Sequence, residues 1–166
     1  MILAIDPGKS GGWALFYERA PRTRNQGGML HSAGPWKKGG LEDTTLDFRN
    51  MHANITTMVI EEVGASPQMG VTSAFSFGRN FGEWLGFSLS LPHLIELTHV
   101  RPQIWEFWVK KNVYGGTPED WKQKHKAALK SAAESAFPYV RMTYSICDAA
   151  LLGKWWIETK GENYEF

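Results

Sequence analysis

Three acidic residues stand at the ends of apolar segments, where a rigid element would hold their carboxylates. Asp6 follows the apolar run at residues 1–5, Glu61 follows the run at 58–60, and Asp148 opens an apolar segment near the C-terminus. Carboxylate oxygens are the ligands that Mg²⁺ and Mn²⁺ prefer in proteins. The three acids are therefore a candidate site for a divalent metal ion, although each one alone is also typical of a solvated strand end or a helix cap.

The chemistry open to such a site is hydrolysis of a phosphodiester. Two metal ions about 4 Å apart can activate a water molecule and stabilise the leaving oxygen. Only one of Glu61 and Glu62 is expected to reach the site, because neighbours on a strand point to opposite faces. Residues 7–12, Pro-Gly-Lys-Ser-Gly-Gly, follow Asp6 directly, and we expect the small residues among them to leave room for a cation or a phosphate.

Apolar patterns along the chain predict the elements that position these acids. The predicted strands span residues 1–6, 12–17, 58–63 and 94–98, with one more near 28–32. A helix is predicted within residues 41–57, capped by Asp43, Thr44 or Thr45, and further helices are predicted over residues 71–91, 101–111, 121–137 and 146–157. This order indicates an α/β domain with a mixed central sheet flanked by helices. We predict a single domain over residues 1–160 and a short polar tail at 161–166.

The bulk composition is that of a globular protein and sets limits on its partners. The 166 residues are 43% hydrophobic and 21% charged, and the formal net charge of +1 excludes a strongly basic polymer-binding tail. One cysteine, Cys147, cannot form an internal disulfide and indicates a reducing compartment. No apolar segment approaches the roughly 20 residues that cross a bilayer, and the N-terminus lacks a signal-peptide pattern. We expect a cytoplasmic protein with neither a membrane partner nor a small-molecule cofactor.

A basic face is predicted on the helix at 121–137. Lys122, Lys126 and Lys130 are four residues apart and share one side of that helix. Within residues 101–130, Lys and Arg outnumber Asp and Glu seven to three. Beside an acidic metal site, such lysines would offset the repulsion between carboxylates and DNA phosphates. A lysine face alone is equally typical of a solvated surface.

The helix at 71–91 carries a stripe of small residues. Ala74, Gly78, Gly82 and Gly86 recur every four residues and therefore line one side of the helix. Because each glycine costs a helix interior about 1 kcal/mol relative to alanine, the stripe predicts close approach by another backbone. That backbone belongs either to the sheet of the same subunit or to the same helix in a second subunit. At the start of this helix, candidate contacts for a DNA phosphate are Thr72, Ser73 and Arg79.

The succession of these segments resembles the RuvC family of Holliday junction resolvases, and in particular its phage-type members. The resemblance rests on Ile-Asp-Pro-Gly at 5–8, Val-Ile-Glu-Glu-Val at 59–63 and Cys-Asp-Ala-Ala-Leu-Leu at 147–152. It extends through residues 70–80, Arg-Pro-Gln-Ile-Trp at 101–105, and the lysine-rich helix that ends in Phe-Pro at 137–138. The individual motifs are short, but they cover most of the chain in the family's order.

This resemblance implies an RNase H-like fold, a homodimer and an acidic cluster that uses Mg²⁺ or Mn²⁺. It also implies symmetric nicking of two opposed strands of a four-way DNA junction by a phage-encoded enzyme. By position, Asp6, Glu61 and Asp148 match the family acids, with Asp6 bridging two ions. Lys9 and Ser10, in the turn after Asp6, join the candidate DNA contacts.

The chain departs from the family near its last acid. The family typically places a further acidic or histidine ligand one turn before that residue, where Ser145 and Tyr144 stand here. Either three carboxylates suffice, or Ser145 binds an ion through a water, or Glu62 supplies the ligand, or the site is weakened. The alternatives to a junction resolvase are therefore a junction-binding protein with a decayed site and an RNase H-like nuclease acting on RNA, RNA–DNA hybrids or flaps.

A second departure concerns the aromatic side chain that some family members stack on junction bases. Gly64 stands at the corresponding position, three residues after Glu61. Candidate replacements are Phe75, Phe77 and Trp36, for each of which simple packing is the alternative interpretation.

Overall fold

A five-stranded mixed sheet forms the centre of the molecule. The computed structural model describes residues 1–17, 30–62, 64 and 69–160. The strands are β1 (Ile2–Asp6), β2 (Gly12–Phe16), β3 (Leu30–Pro35), β4 (Thr57–Glu61) and β5 (Glu96–Val100), in the spatial order β3-β2-β1-β4-β5. The pairings of β3, β2 and β1 are antiparallel, whereas β1 with β4 and β4 with β5 are parallel. The predicted mixed α/β architecture is confirmed.

Six α-helices and one 3₁₀ helix connect and cover the described strands. They are α1 (Leu41–Thr45), the 3₁₀ helix Arg49–Asn54, α2 (Val71–Ser88), α3 (Pro102–Asn112), α4 (Pro118–Gln123), α5 (His125–Ala136) and α6 (Cys147–Lys160). None of these helices combines the length and apolarity that a bilayer crossing needs.

The sheet is buried on both sides, and alternation along each strand divides the core in two. Ile2 and Ala4 of β1 join a cluster formed with α3, α4, α5 and α6, which we call the α6 face. Leu3 and Ile5 join a second cluster formed with α2 and the segment around the 3₁₀ helix, which we call the α2 face. Strands β2 and β4 divide their side chains in the same way.

The helix predicted within residues 41–57 is present but short. Helix α1 ends at Thr45, and a separate 3₁₀ helix follows. The Thr44 hydroxyl donates to the Gly40 carbonyl at 2.8 Å and accepts from the Lys37 N–H at 2.9 Å. Such side chain-to-backbone bonds compete with helix propagation. The three predicted caps therefore lie inside α1, with Gly40 at its N-cap.

The helix predicted over residues 121–137 is two helices. The Thr117 hydroxyl accepts from the Asp120 N–H at 3.1 Å, so α4 begins at Pro118, where a proline fits the first turn. The backbone leaves helical geometry at Lys124 (φ −125°, ψ 42°) before α5 begins. Lys122 consequently lies on α4, whereas Lys126 and Lys130 lie on α5, and the prediction of one continuous lysine face is wrong.

Strand β5 lies two residues later than predicted. The Ile95 and Glu96 N–H groups both donate to the carbonyl of Thr56, at 2.7 and 3.2 Å, before regular pairing of Thr57 with Glu96 begins. The remaining strands and helices start within two residues of the prediction. Residues 28 and 29 of the predicted third strand, residue 63 and the tail at 161–166 lie outside the described residues.

Candidate active site

Asp6 and Glu61 end neighbouring parallel strands. Pairing of β1 with β4 aligns Ile5 with Ile60, so the next pair in this register is Asp6 and Glu61. Two residues earlier on each strand, the side chains belong to the core of the α6 face. Because side chains alternate along a strand, both carboxylates are directed toward α6.

Asp148 completes the group from the helix above the sheet. It is the second residue of α6, which packs across β1, β2 and β4, and it is only 5% exposed. The unsatisfied N–H groups of a helix N-terminus favour a negative charge there. The Cys147 thiol donates to one Asp148 carboxylate oxygen at 3.2 Å. Burial and the Asp148 charge raise the pKa of this thiol, so Cys147 is a neutral buried side chain.

The three carboxylates lie close enough for their charges to interact. Burial, followed by the charges of Glu61 and Asp148, raises the pKa of Asp6 well above its usual range. Burial, followed by the charge of Asp148, raises the pKa of Glu61 to about 7. Sequence reasoning placed these acids together, and the structure brings all three to one end of the sheet. Buried like charges of this kind are typical of functional sites.

Lys126 supplies positive charge to the group. Its ammonium contacts a carboxylate oxygen of Asp148, while its side chain stays 64% exposed. Partial burial opposes the charge on this lysine, but Asp148 outweighs that effect and raises the pKa of Lys126. The positive charge of the lysine partly offsets the rise in the pKa values of Asp6 and Glu61. A residue predicted only as a DNA contact is therefore part of the acidic site.

The donor set fits a hard divalent ion, although the side chains do not surround one point. All three acids offer only oxygen ligands, as Mg²⁺ and Mn²⁺ prefer, and their mutual repulsion would be relieved by a cation. Among the described residues, no three His, Cys, Asp or Glu side chains have an arrangement that would hold a metal ion. The three acids therefore interact through their charges, and Lys126 lies beside Asp148.

The turn after Asp6 is tightly packed at its glycines. A Cβ at Gly11 would collide with the Asp6 carbonyl, and one at Gly12 would collide with the carbonyls of Gly34 and Ser145. Both glycines serve the close approach of backbone to backbone. The exposed residues of this turn are Lys9 and Ser10, the two predicted DNA contacts.

Asn80 of α2 anchors the same turn from the opposite side of the sheet, and sequence reasoning missed it. The buried Gly8 N–H donates to its side-chain oxygen at 2.7 Å across 72 residues of sequence. Gly8 has a φ of 145°, and the ring of Phe77 lies against its Cα. No local pattern singles out Asn80, because the helix carries other polar residues and buries Ser88 on the same side.

The first turn of α3 contacts both glutamates at the end of β4. The Trp105 indole N–H donates to Glu61 Oε2 at 3.0 Å, and Arg101 Nε lies 3.4 Å from Glu62 Oε2. Glu62, predicted as a replacement ligand, is thus paired with an arginine. Glu106 also acts on the site, because its charge helps to raise the pKa of Glu61. Neither Trp105 nor Glu106 was predicted as a site residue.

The remaining candidate contacts with DNA are spread over the surface. Thr72 and Ser73 are exposed at the start of α2, and Arg79 pairs with Glu83 at 3.3 Å. Lys122 is exposed on α4. Other described contacts involve Lys130, which lies 2.8 Å from Glu134 and over the ring of Tyr144, and Ser145, whose carbonyl approaches Gly12.

The glycine stripe of α2 faces away from its own sheet. A Cβ placed at Gly78, Gly82 or Gly86 would meet nothing within 4 Å among the described residues. Of the two alternatives for the stripe, packing against the sheet of the same subunit is therefore wrong. Phe75, on the same helix, is 73% exposed, whereas Phe77 packs on Gly8.

Trp36, the third aromatic candidate for base stacking, packs within the protein. Its ring centroid lies 5.6 Å from that of the buried Trp84. Phe75 is therefore the candidate among the three that keeps an open ring face.

The fold resembles solved structures of Holliday junction resolvases. The yeast mitochondrial Holliday junction resolvase has a TM-score of 0.56 and 12% identity, with 98% of this chain and 80% of that chain covered. RuvC from T. thermophilus, solved with a Holliday junction substrate, has a TM-score of 0.54 and 12% identity over 93% and 90% of the chains. The fowlpox virus resolvase, solved with substrate Holliday junction DNA, has a TM-score of 0.52 and 13% identity over 96% and 99%.

The likeness is one of fold rather than of sequence. No family sequence model matches the chain, and no curated protein matches it in sequence. The predicted RNase H-like fold, with its mixed sheet flanked by helices, is confirmed.

Proposed function

We propose that this chain is a metal-dependent endonuclease that resolves four-way and other branched DNA junctions. The observation that carries the proposal is the convergence of Asp6, Glu61 and Asp148 on one end of the sheet, in a fold shared with three junction resolvases. The products would be two symmetric nicks, formed by hydrolysis of opposed phosphodiesters. A phage origin and a cytoplasmic location belong to the same proposal.

The three acids would hold Mg²⁺ or Mn²⁺, two ions per site, with Asp6 shared between them. Bound there, the ions would supply charge neutralisation for the phosphodiester and lower the pKa of an attacking water. Glu61 and Asp148 would each orient one ion, because each comes from a different rigid element. The buried setting strengthens these electrostatic interactions relative to water.

Lys126 would act on the DNA beside the acids. Its ammonium contacts a carboxylate oxygen of Asp148. Its exposed, flexible side chain can turn to a phosphate oxygen next to the scissile bond. The exposed Lys9, Ser10 and Lys122 would add contacts to the backbone that position the strand without reading its sequence.

The second active site would come from a homodimer formed through α2. Gly78, Gly82 and Gly86 leave an open strip on this helix, and the exposed Val71 and Phe75 lie on the same helix. Such a surface on a helix is typical of an interface in which two backbones approach closely. Two-fold symmetry would then place two sites on opposed strands of one junction.

Asp6→Asn tests the proposed role of the acids. The substitution keeps the size of the side chain and removes its charge, so cleavage should fall by about 10³-fold or more as several kcal/mol of charge stabilisation is lost. Gel-shift binding of a four-way junction should be retained. Asp43→Asn, at an exposed acid on α1, is the matched control and should cleave normally. Full activity of Asp6→Asn would overturn the proposal.

A junction-binding protein with a decayed site is the second candidate function, favoured by the serine at position 145. In that case the wild type would bind junctions tightly and produce no nicks with Mg²⁺ or Mn²⁺. Ser145→Asp would then be the substitution expected to restore cleavage.

A further inference from the structure

We propose that Trp105 is a positioning residue that fixes the carboxylate of Glu61 by a part-buried hydrogen bond to one of its two oxygens. The inference rests on the proposed function, since it assigns Glu61 to a metal site. It adds a residue from α3 to an acidic group otherwise supplied by β1, β4 and α6.

The bond joins two groups with little freedom to move. The Trp105 side chain is fully buried in the core of the α6 face, and its Nε1 lies 3.0 Å from Glu61 Oε2. A buried indole N–H needs an acceptor, and here that acceptor is the site carboxylate. Trp105 stands in the first turns of α3, which begins at Pro102 directly after β5. Strand β5 in turn pairs with β4, which carries Glu61.

This bond limits the orientations that the Glu61 carboxylate can take. The last torsion of a glutamate side chain is broad, so an unheld carboxylate samples many orientations. The indole N–H occupies one lone pair of Oε2 and restricts rotation of the carboxylate about this torsion. Glu61 would therefore meet an ion with its carboxylate already oriented.

A second contact at the start of α3 is weaker than the bond that Trp105 makes to Glu61. Arg101 pairs with Glu62 at 3.4 Å, but both side chains are substantially exposed, so this ion pair contributes little to stability. The Trp105 side chain is fully buried and its bond to Glu61 is part-buried, and a hydrogen bond to a charged group is stronger than one between neutral groups. Partners that orient a metal-binding side chain typically change metal affinity or activity by about 10–100-fold when removed.

Trp105→Phe tests the proposal because it keeps an aromatic ring and removes the N–H. The dissociation constant for Mn²⁺, measured by calorimetry without DNA, should rise by about 10–100-fold. Junction binding in chelator should stay at the wild-type level. Trp155→Phe removes another largely buried indole from the same core and should leave Mn²⁺ binding unchanged.

A second substitution separates the hydrogen bond from the packing of the ring. Benzothienylalanine at position 105 replaces the N–H by sulfur in a bicyclic ring of similar size, and it should weaken Mn²⁺ binding as Trp105→Phe does. In a Glu61→Gln background, Trp105→Phe should have no further effect on Mn²⁺ binding, because the two residues act together.

The proposal is overturned if the benzothienyl variant binds Mn²⁺ as tightly as the wild type, or if the wild type binds no Mn²⁺. The test of Trp105 can fail or succeed independently of the test of the proposed function. A wild type whose Mn²⁺ binding depends on Glu61 and on the Trp105 N–H but that leaves junctions intact would support the positioning role and refute the nuclease.

Discussion

Glycines play different structural roles in the helices on the two faces of this sheet. On the α6 face, a Cβ at Gly153 would collide with the ring of Phe16, so the glycine lets α6 lie close to the sheet. On the α2 face, Gly78 and Gly82 stand beside open space in the described structure. The first helix is already packed against its partner. The second presents a surface that fits a partner of the kind we propose, a second copy of the chain.

The same contrast holds for charge. The α6 face buries Asp148 at the sheet end beside Asp6 and Glu61, with Lys126 as a counter-charge. The α2 face buries the neutral amide of Asn80, which reaches across to the turn that follows Asp6. In the function that we propose, the α6 face therefore carries the chemistry, and the α2 face supports the turn after Asp6 and offers the surface for assembly.

The largest effect on the α2 face is expected from Gly82→Glu. A charge buried without a partner costs about 3–5 kcal/mol, so the dimer dissociation constant should rise by roughly 10²–10³-fold or more. Glutamate is a better helix former than glycine, so helix destabilisation cannot explain a loss of dimer. Analytical ultracentrifugation measures the change. Gly115→Glu is the matched control, because a Cβ there also meets nothing within 4 Å. A dimer unaffected by Gly82→Glu would exclude this interface.

A pH dependence of stability is expected from the α6 face. Because the pKa of Glu61 rises from 4.5 to about 7 on folding, the folded protein keeps a proton that the unfolded chain releases in this range. The free energy of unfolding of the metal-free protein should therefore fall as pH rises from about 4.5 through 7, by about 3 kcal/mol from this residue. The raised pKa of Asp6 acts in the same direction.

Glu61→Gln should remove this part of the pH dependence. Urea unfolding in chelator, measured from pH 4.5 to 8, should give a flatter curve for the variant than for the wild type. Glu119→Gln removes an exposed negative charge and serves as the control. Parallel curves for Glu61→Gln and the wild type would contradict the assignment of a raised pKa.

A smaller loss of stability is expected from Asn80→Ala. The buried Gly8 N–H would lose its acceptor, at a cost of about 1–3 kcal/mol. The value should lie near the lower limit, because the Asn80 amide nitrogen is itself buried without a hydrogen-bond partner among the described residues. Denaturant unfolding measures the loss. Asn112→Ala, at an exposed helix end, should change stability by less than about 0.5 kcal/mol. Equal effects of the two substitutions would show that the Asn80 bond is unimportant.

The three acids could be predicted as one site from the sequence, because their positions follow from the length of the apolar runs and the alternation of side chains along the strands. An apolar run that ends in Asp6 or Glu61 places a carboxylate at the end of a buried strand. Because the two strands are neighbours in the sheet, the two carboxylates lie side by side. The resemblance to resolvases supplied the RNase H-like fold. Helix ends were harder to predict, because single side chains such as Thr44 and Thr117 decide them through local hydrogen bonds.

The supporting residues could not be predicted because their partners are distant in sequence. Trp105 meets Glu61 across 44 residues, and Asn80 meets Gly8 across 72. Nothing in the local pattern distinguishes Trp105 from the other core tryptophans. Likewise, the break at Lys124 places Lys122 and Lys126 on separate helices, α4 and α5, and Lys126 contacts Asp148.

The central claim is that the acidic group at the sheet end cuts branched DNA. The most direct measurement is cleavage of a labelled four-way junction beside a linear duplex of matched sequence, with Mg²⁺, with Mn²⁺ and with chelator. We predict paired symmetric nicks in the junction only, which chelator abolishes. Equal cutting of the duplex, or junction binding without nicks under either metal, would contradict the assignment of this chain as a junction resolvase.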